Sequence, residues 1–293
     1  VRFVGHLREF LATWSFDPVL FVVLGIVAAT YLGAGRAISA RHPTQPWQRR
    51  HTVLFLTGLG VVVMAMLGPV GSLDEEFFWA HMTQHILLMM LAAPLLLLGE
   101  PILMVLRVAS PRQRRVVVVP ALRSQVVRFL TNPAVSWVIF AGVLVGTHLT
   151  GFYEYSLEHS NVHNYVEHPL YLGAGLLYFY PLLGMGTGAS RMQPFSKVVS
   201  LFLMMVPETA LGFGIYTVSY VLYPYYLSVG DRPWGPSTAL IDQRVGGAIM
   251  WSSGMIFNAV WISIAVWEWI KSEDIKARRI DAAIASERLA GSS

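Results

Sequence analysis

Long apolar runs, each closed off by a short block of charge, alternate along almost the whole 293-residue chain. Charged residues are 13% of the total and hydrophobic residues 55%, where a soluble domain carries about a quarter charged residues. The arrangement weighs more than the totals. A hydrocarbon layer takes about 20 apolar residues per helix, and runs of that order recur between the charged blocks. A bilayer is therefore the solvent, and backbone groups inside it must be paired internally, which the run lengths suit as helices.

Seven spans are predicted. The first runs from Pro18 to Ala40, the second from Thr52 to Val70, the third from Phe77 to Leu98 and the fourth from Asn132 to Gly151. The fifth extends from His168 to Gly184, the sixth from Lys197 to Tyr220, and a long seventh from Ala239 to Ile270. Arg and Lys collect in the cytoplasmic connections of membrane proteins. Here Arg36, Arg41, Arg49 and Arg50 follow the first span, six arginines from Arg107 to Arg128 follow the third, and Arg191 and Lys197 follow the fifth. With the tail residues Lys271, Lys276, Arg278, Arg279 and Arg288, that places 17 of the 21 basic residues on one side. The alternate connections carry Asp74, Glu75 and Glu76, then Glu154, Glu158 and Glu167, then Asp231.

The pattern predicts an all-α polytopic membrane protein, a seven-transmembrane-helix bundle with the N-terminus outside and the C-terminus cytoplasmic. Three regions follow: an interfacial segment at 1–17 with Trp14 and Phe16 at headgroup level, the transmembrane domain at 18–270, and a cytoplasmic helical tail at 271–293.

Cysteine is absent, which excludes disulfides, thiolate metal sites and thiol nucleophiles and leaves soft-metal chemistry to His and Met. The formal charge of +4 forms no basic stripe with stacking aromatics, so no nucleic-acid partner is expected.

Ionisable groups inside spans are costly, and they pair, face a cavity or bind something. Most of them here gather toward the outer side. His81 and His85 stand four apart near the outer end of span three, a spacing that presents two imidazoles on one helical face to a single metal. The competing reading is a packing pair bonded to a carbonyl or to a neighbouring Glu. His148 is near the outer end of span four, His163 and His168 lead into span five, Asp242 opens span seven, and Tyr223, Tyr225 and Tyr226 close span six. Met64 and Met66 end span two on the same side, with Met82 and Met250 within a turn or two. His6, His42, His51 and His159 read as surface residues. Glu208 lies deeper, beside Pro207; it is expected to be paired, protonated or exposed to a cavity, with the proline opening a kink.

HMTQHILLMMLAAPLLLLGEP, from His81 to Pro101, resembles the signature of the CtaG family of cytochrome c oxidase (caa3-type) assembly factors, in which a span opens with H-x-x-x-H and closes with P-x-x-x-L-G-x-P. The likeness continues in THL around His148, HPLYLGAGLLYFYPLLG from His168, LYPYY from Leu222 and DQRVGGAIMW from Asp242. No one motif is specific, but five in order over residues 50–270 are. The resemblance implies a seven-span protein of the bacterial plasma membrane needed to build the copper centre of a haem-copper oxidase. It points to His81, His85, His148, His168 and Asp242.

The expectation is a non-enzymatic copper-binding assembly factor. Cu(I) is expected to sit among His81, His85, His148, His168 and His163, with Asp242 orienting an imidazole and Glu208, Met64 and Met250 in support. Expected partners are the oxidase catalytic subunit, an extracytoplasmic or periplasmic copper chaperone as donor, and membrane lipid. Three rivals are a b-type haem electron carrier using His85 with His148 or His168, a metal- or proton-coupled transporter built around Glu208 and the His cluster, and a purely structural membrane partner of an oxidase whose His cluster serves only helix packing.

Overall fold

A computed structural model describes residues 12–184, 192–230 and 235–290, with side chains to 284. Every regular element among the described residues is helical. The first long helix, α1 (Pro18–Arg41), starts where Asp17 accepts the N–H groups of Val19 and Leu20 at 2.8 and 3.0 Å, with Pro18 in the first position. This cap satisfies donors that a helix start otherwise leaves open, and proline costs nothing there because its missing N–H is one of them. Helix α2 (Arg49–Met66) follows. Helix α3 is continuous through Phe78–Ile86, a π-helical turn Leu87–Ala92, and Ala93–Leu98.

Short helices then line one end of the bundle: α4 (Pro101–Val108), α5 over residues 111–122, and α6 (Gln125–Leu130). Helix α7 (Pro133–Leu149), capped by Asn132, is followed by α8 (Phe152–Glu158). Helix α9 runs through Ser160–Val162, a π-helical turn His163–Glu167, and His168–Leu183. The remaining elements are α10 (Pro194–Thr217), the short α11 (Tyr225–Ser228) and α12 (Ala239–Ala290).

The seven predicted spans each coincide with a helical segment, but fewer pass a test of length and apolarity. Among the described residues five helices are long and apolar enough to cross a membrane, and a sixth crossing is added if α7 and α8, bent by 66° at their junction, count as one. The His168–Leu183 stretch is only 16 residues long. The seventh helix does not stop near Ile270: α12 is unbroken over 52 residues, about 78 Å at 1.5 Å per residue. Of the N-terminal interfacial segment, residues 1–11 lie outside the described residues; Trp14 and Phe16 are exposed. Asp231 and Arg191 also lie outside them.

Alternation of the helices is visible in their end contacts. At one end Arg41 donates to the Val108 carbonyl at 3.3 Å and Arg107 to that of Gln45 at 3.4 Å, joining two arginine-bearing connections. At the other end Ser15 N–H reaches the Leu67 carbonyl at 3.0 Å, Ser72 donates to the Thr13 carbonyl at 3.3 Å, and Tyr165 donates to Asp17 at 2.8 Å.

The largest helix contact is between α10 and α12, and glycine permits it. A Cβ on Gly212 would stand 2.8 Å from Trp251 N, and one on Gly247 2.7 Å from Tyr216 N. Helix α12 also packs on the first part of α3, and α7 on α9. Three π-helical turns, Leu87–Ala92, Arg114–Val118 and His163–Glu167, each end two residues before a proline: Pro94, Pro120 and Pro169. A proline ring clashes with the carbonyl four residues back and cannot bond it, and a widened turn absorbs that conflict without ending the helix. Pro207 lies inside α10, which stays continuous from Pro194 to Thr217 rather than breaking.

Candidate metal centre

Helix α3 brings His81 and His85 into the interior, where both are buried to 1% exposure or less. Their ring centroids lie 5.5 Å apart. The helix is held at its start by Asp242 of α12, whose two carboxylate oxygens accept Phe78 N–H at 2.9 Å and Trp79 N–H at 3.1 Å. The sequence reading had Asp242 orienting an imidazole; the structure gives it the first turn of the helix that carries two of them.

His148 arrives from the last turn of α7, with its ring 5.6 Å from that of His81 and 5.2 Å from that of His85. Its Nδ1 lies 2.8 Å from the Leu144 carbonyl. A carbonyl only accepts, so Nδ1 carries the hydrogen and Nε2 keeps the lone pair. That Nε2 has no hydrogen-bond partner, nor does either nitrogen of His81. One ligand nitrogen from each of His81, His85 and His148 can be chosen so that all three lie within 4.8 Å of one another. Buried polar atoms without partners are rare because each costs free energy. Three converging imidazoles, two of them with unpartnered nitrogens, supply the donor set that a metal ion requires. Met82 adds a thioether, its Sδ 3.2 Å from His85 Nε2.

A second group overlaps the first. His81, His163 and His168 also offer nitrogens within 4.8 Å of one another. His163 differs in having both nitrogens engaged: Nδ1 at 2.8 Å from Glu167 and Nε2 at 3.0 Å from Asp74. His168 Nε2 stands 3.4 Å from the same Asp74 oxygen. Burial pushes the Asp74 carboxyl up, but the hydrogen bonds and charge of His163 and His168 prevail and hold it well below its ordinary 3.8. Glu167 also accepts from Ser156 at 2.6 Å and Tyr171 at 2.9 Å, and lies 3.8 Å from His81 Nε2.

Tyrosines pack around the rings. Tyr153 lies 4.1 Å from His81, ring to ring, and its hydroxyl meets that of Tyr226 at 2.6 Å. Tyr226 in turn donates to the Asp74 carbonyl at 2.7 Å, and Tyr223 to the His148 carbonyl at 3.0 Å.

The remaining predicted supports lie elsewhere or touch the site less directly. Met64 is 41% exposed on α2 and faces outward, whereas Met250 is buried in α12. Glu208 is buried and accepts a hydrogen bond from Asn258. Asn258 follows Asp242 by 16 residues on α12, about 24 Å along the axis, so this pair sits well below the histidines. Asp74, Glu167 and Met82 are the residues that sequence reasoning undervalued. Asp74 and Glu167 entered only as loop charges, although the i, i+4 spacing of His163 and Glu167 was a readable sign of pairing.

Fold and site together define a helical membrane protein with a buried, carboxylate-braced histidine cluster. The family profile described as cytochrome c oxidase caa3 assembly factor (Caa3_CtaG) matches residues 29–272, and the chain belongs to that family. It is 26% identical over 277 residues to uncharacterized proteins of Mycobacterium bovis and Mycobacterium tuberculosis, covering 92% of this chain and 41% of each relative. An uncharacterized protein of Mycobacterium leprae is 24% identical over 286 residues, covering 94% of this chain and 42% of the relative. The chain thus spans about two fifths of the length of these curated relatives. No solved structure matches.

Proposed function

We propose that this assembly factor binds Cu(I) at the extracytoplasmic end of the bundle and hands it to the catalytic subunit of a haem-copper oxidase. The observation that carries the reading is the meeting of His81, His85 and His148, all buried, with one ring nitrogen of each within 4.8 Å of the others and with the nitrogens of His81 and Nε2 of His148 free of hydrogen bonds. Neutral imidazole with a nearby thioether suits a soft monovalent ion in a chain without cysteine. His81, His85 and His148 hold the ion, with Met82 beside them. His168 and His163 belong to the overlapping group, where Asp74 and Glu167 orient the rings through hydrogen bonds of the kind that fix ligand tautomers. Asp242 acts one step further back, by fixing α3.

Copper is cargo here, and no bond of a substrate is made or broken. An extracytoplasmic chaperone is the natural donor, because the cluster lies at the end remote from the arginine-rich connections, which are assigned to the cytoplasm. Rings packed 5.2–5.6 Å apart, with Tyr153 against His81, leave no slot for a flat macrocycle between axial ligands, so haem is the poorer reading. Glu208, bonded to Asn258 in an unbroken helix, gives no comparable support to a transporter.

The test is an anaerobic competition titration of purified protein with Cu(I) and a chromophoric chelator. Wild type is expected to bind tightly and His81→Ala/His85→Ala to lose at least about 100-fold in affinity, since removing only the groups that orient a ligand already costs about 10- to 100-fold. Equal affinity in the two proteins sinks the proposed ligand set.

A further inference from the structure

Beside the cluster, at the same end of the bundle, lies a polar recess of about 330 Å³ lined by Asp17, Ser72, Asp74, Glu75, Glu76 and Asn164 among others. Its carboxylates are unequal. Asp17 is committed to capping α1 and accepting from Tyr165. Glu75 is half-buried and Glu76 exposed. Asp74 is 4% exposed, with the recess on one side and His163 and His168 on the other. Behind it come the two histidine groups, which share His81. Between carboxylate and shared ligand stands His168, 2% exposed, its Nε2 3.4 Å from Asp74 and its Nδ1 without a hydrogen-bond partner.

We infer that this recess is the cation entry port of the protein, and that His168 and His81, beside a His163 held by Asp74 and Glu167, form a transit site from which the ion passes to His85 and His148 by exchange at His81. The inference rests on the copper-handling reading above and adds the route. Carboxylates in a recess walled by low-dielectric protein concentrate cations and speed their capture. The alternative openings are poorer in charge. An apolar crevice of about 480 Å³ among α1, α2, α3 and α9 also reaches His168, but Leu and Val dominate its walls and Asp17, already engaged at the start of α1, is the carboxylate that lines it. The opposite end of the bundle carries the arginines of the α4 to α6 segment, with no acidic residue between Glu100 and Glu154, and repels a cation.

The port predicts a kinetic effect separable from affinity. The full chain, purified in a zwitterionic detergent, is mixed in anaerobic stopped flow with Cu(I) as its labile acetonitrile complex, and uptake is followed by quenching of tyrosine and tryptophan fluorescence. Glu75→Gln/Glu76→Gln is expected to lower the association rate about 10-fold at low ionic strength and to flatten its salt dependence. Its equilibrium affinity should stay within about 2-fold of wild type, since neither glutamate is a ligand. His168→Ala is expected to slow uptake as well. An unchanged rate and salt dependence in the glutamate variant, with affinity intact, overturns the port and leaves the copper site standing. A wild-type chain that takes up no Cu(I) removes the site and the port together.

Discussion

At the scale of single residues, the carboxylates distinguish a braced site from a chance gathering of histidines. Asp242 takes two backbone N–H groups at the start of α3 while fully buried, a cap that a helix lacking one must replace with water it cannot reach. Asp242→Ala is expected to cost about 2 kcal/mol and to weaken Cu(I) binding by loosening the turn below His81, whereas Asp242→Asn keeps an acceptor and loses less. Thermal midpoints of both variants check this, and equal losses refute the capping role. Asp74 allows a test by pH. Its folded value is depressed by His163 and His168, so its contribution to stability is complete above the unfolded value of 3.8 and fades as pH falls below it. The midpoint gap between wild type and Asp74→Asn should therefore be widest near about pH 7 and shrink toward about pH 3; a constant gap contradicts the pairing. Much of this site was legible in the chain. His81 and His85 announced themselves by spacing inside an apolar run, and His148, His163 and His168 by their shared depth. Asp74 and Glu167 did not, because a carboxylate at a span's edge reads as a solvated charge until a neighbouring segment folds over it. Met82 was named among the nearby methionines but could not be ranked, since only the path of α3 decides which thioether meets an imidazole.

At the scale of elements, close backbone approach and prolines within helices do most of the shaping. The apolar runs gave away where helices lie, and the spans placed from Pro18 and Asn132 begin within a residue of α1 and α7. Their lengths were harder to read. Hydropathy fades gradually at Ile270, but nothing there stops a helix, so α12 continues to Ala290. Nor could pattern alone show that α7 would turn through 66° into α8. Gly212 and Gly247 were ordinary letters in the sequence, yet they face each other's helices where no Cβ fits. Gly247→Val must push α10 and α12 apart, because the atoms it meets are backbone and cannot rotate away. A loss of at least about 3 kcal/mol is expected, read as a fall in thermal midpoint or as failure to accumulate in the membrane. Gly214→Ala, at a position with nothing within 4 Å of the added carbon, should be neutral. Equal behaviour of the two variants argues against tight α10–α12 packing.

At the scale of the whole molecule, chemistry is divided between two ends. Histidines, tyrosines and carboxylates occupy one, arginines the other, and α12 connects them before projecting beyond the arginine end. It is anchored near its exit by the ion pair of Lys197 with Glu268 at 2.7 Å, in which the lysine is buried, and by the ring contact of Trp269 with Phe195 at 5.2 Å. From Glu273 to Ile284 every residue is exposed, and among the described residues Lys276 pairs with Glu273 of the same helix at 2.8 Å. A segment that buries no apolar surface against the bundle gives it little stability, and an exposed pair one turn apart adds at most a few tenths of a kcal/mol. Ending the chain after Ile270 should therefore leave the thermal midpoint and the Cu(I) affinity where they were, since Glu268 and the histidines are untouched. Lys197→Met in the full chain should behave differently, because it strips Glu268 of its partner at the point where α12 leaves the bundle. The pair of measurements separates anchor from extension. A truncated chain whose midpoint falls with protein concentration held fixed would mean that the tail is held by something, and a second copy of the chain, visible as a change in oligomeric mass, is the first candidate to weigh.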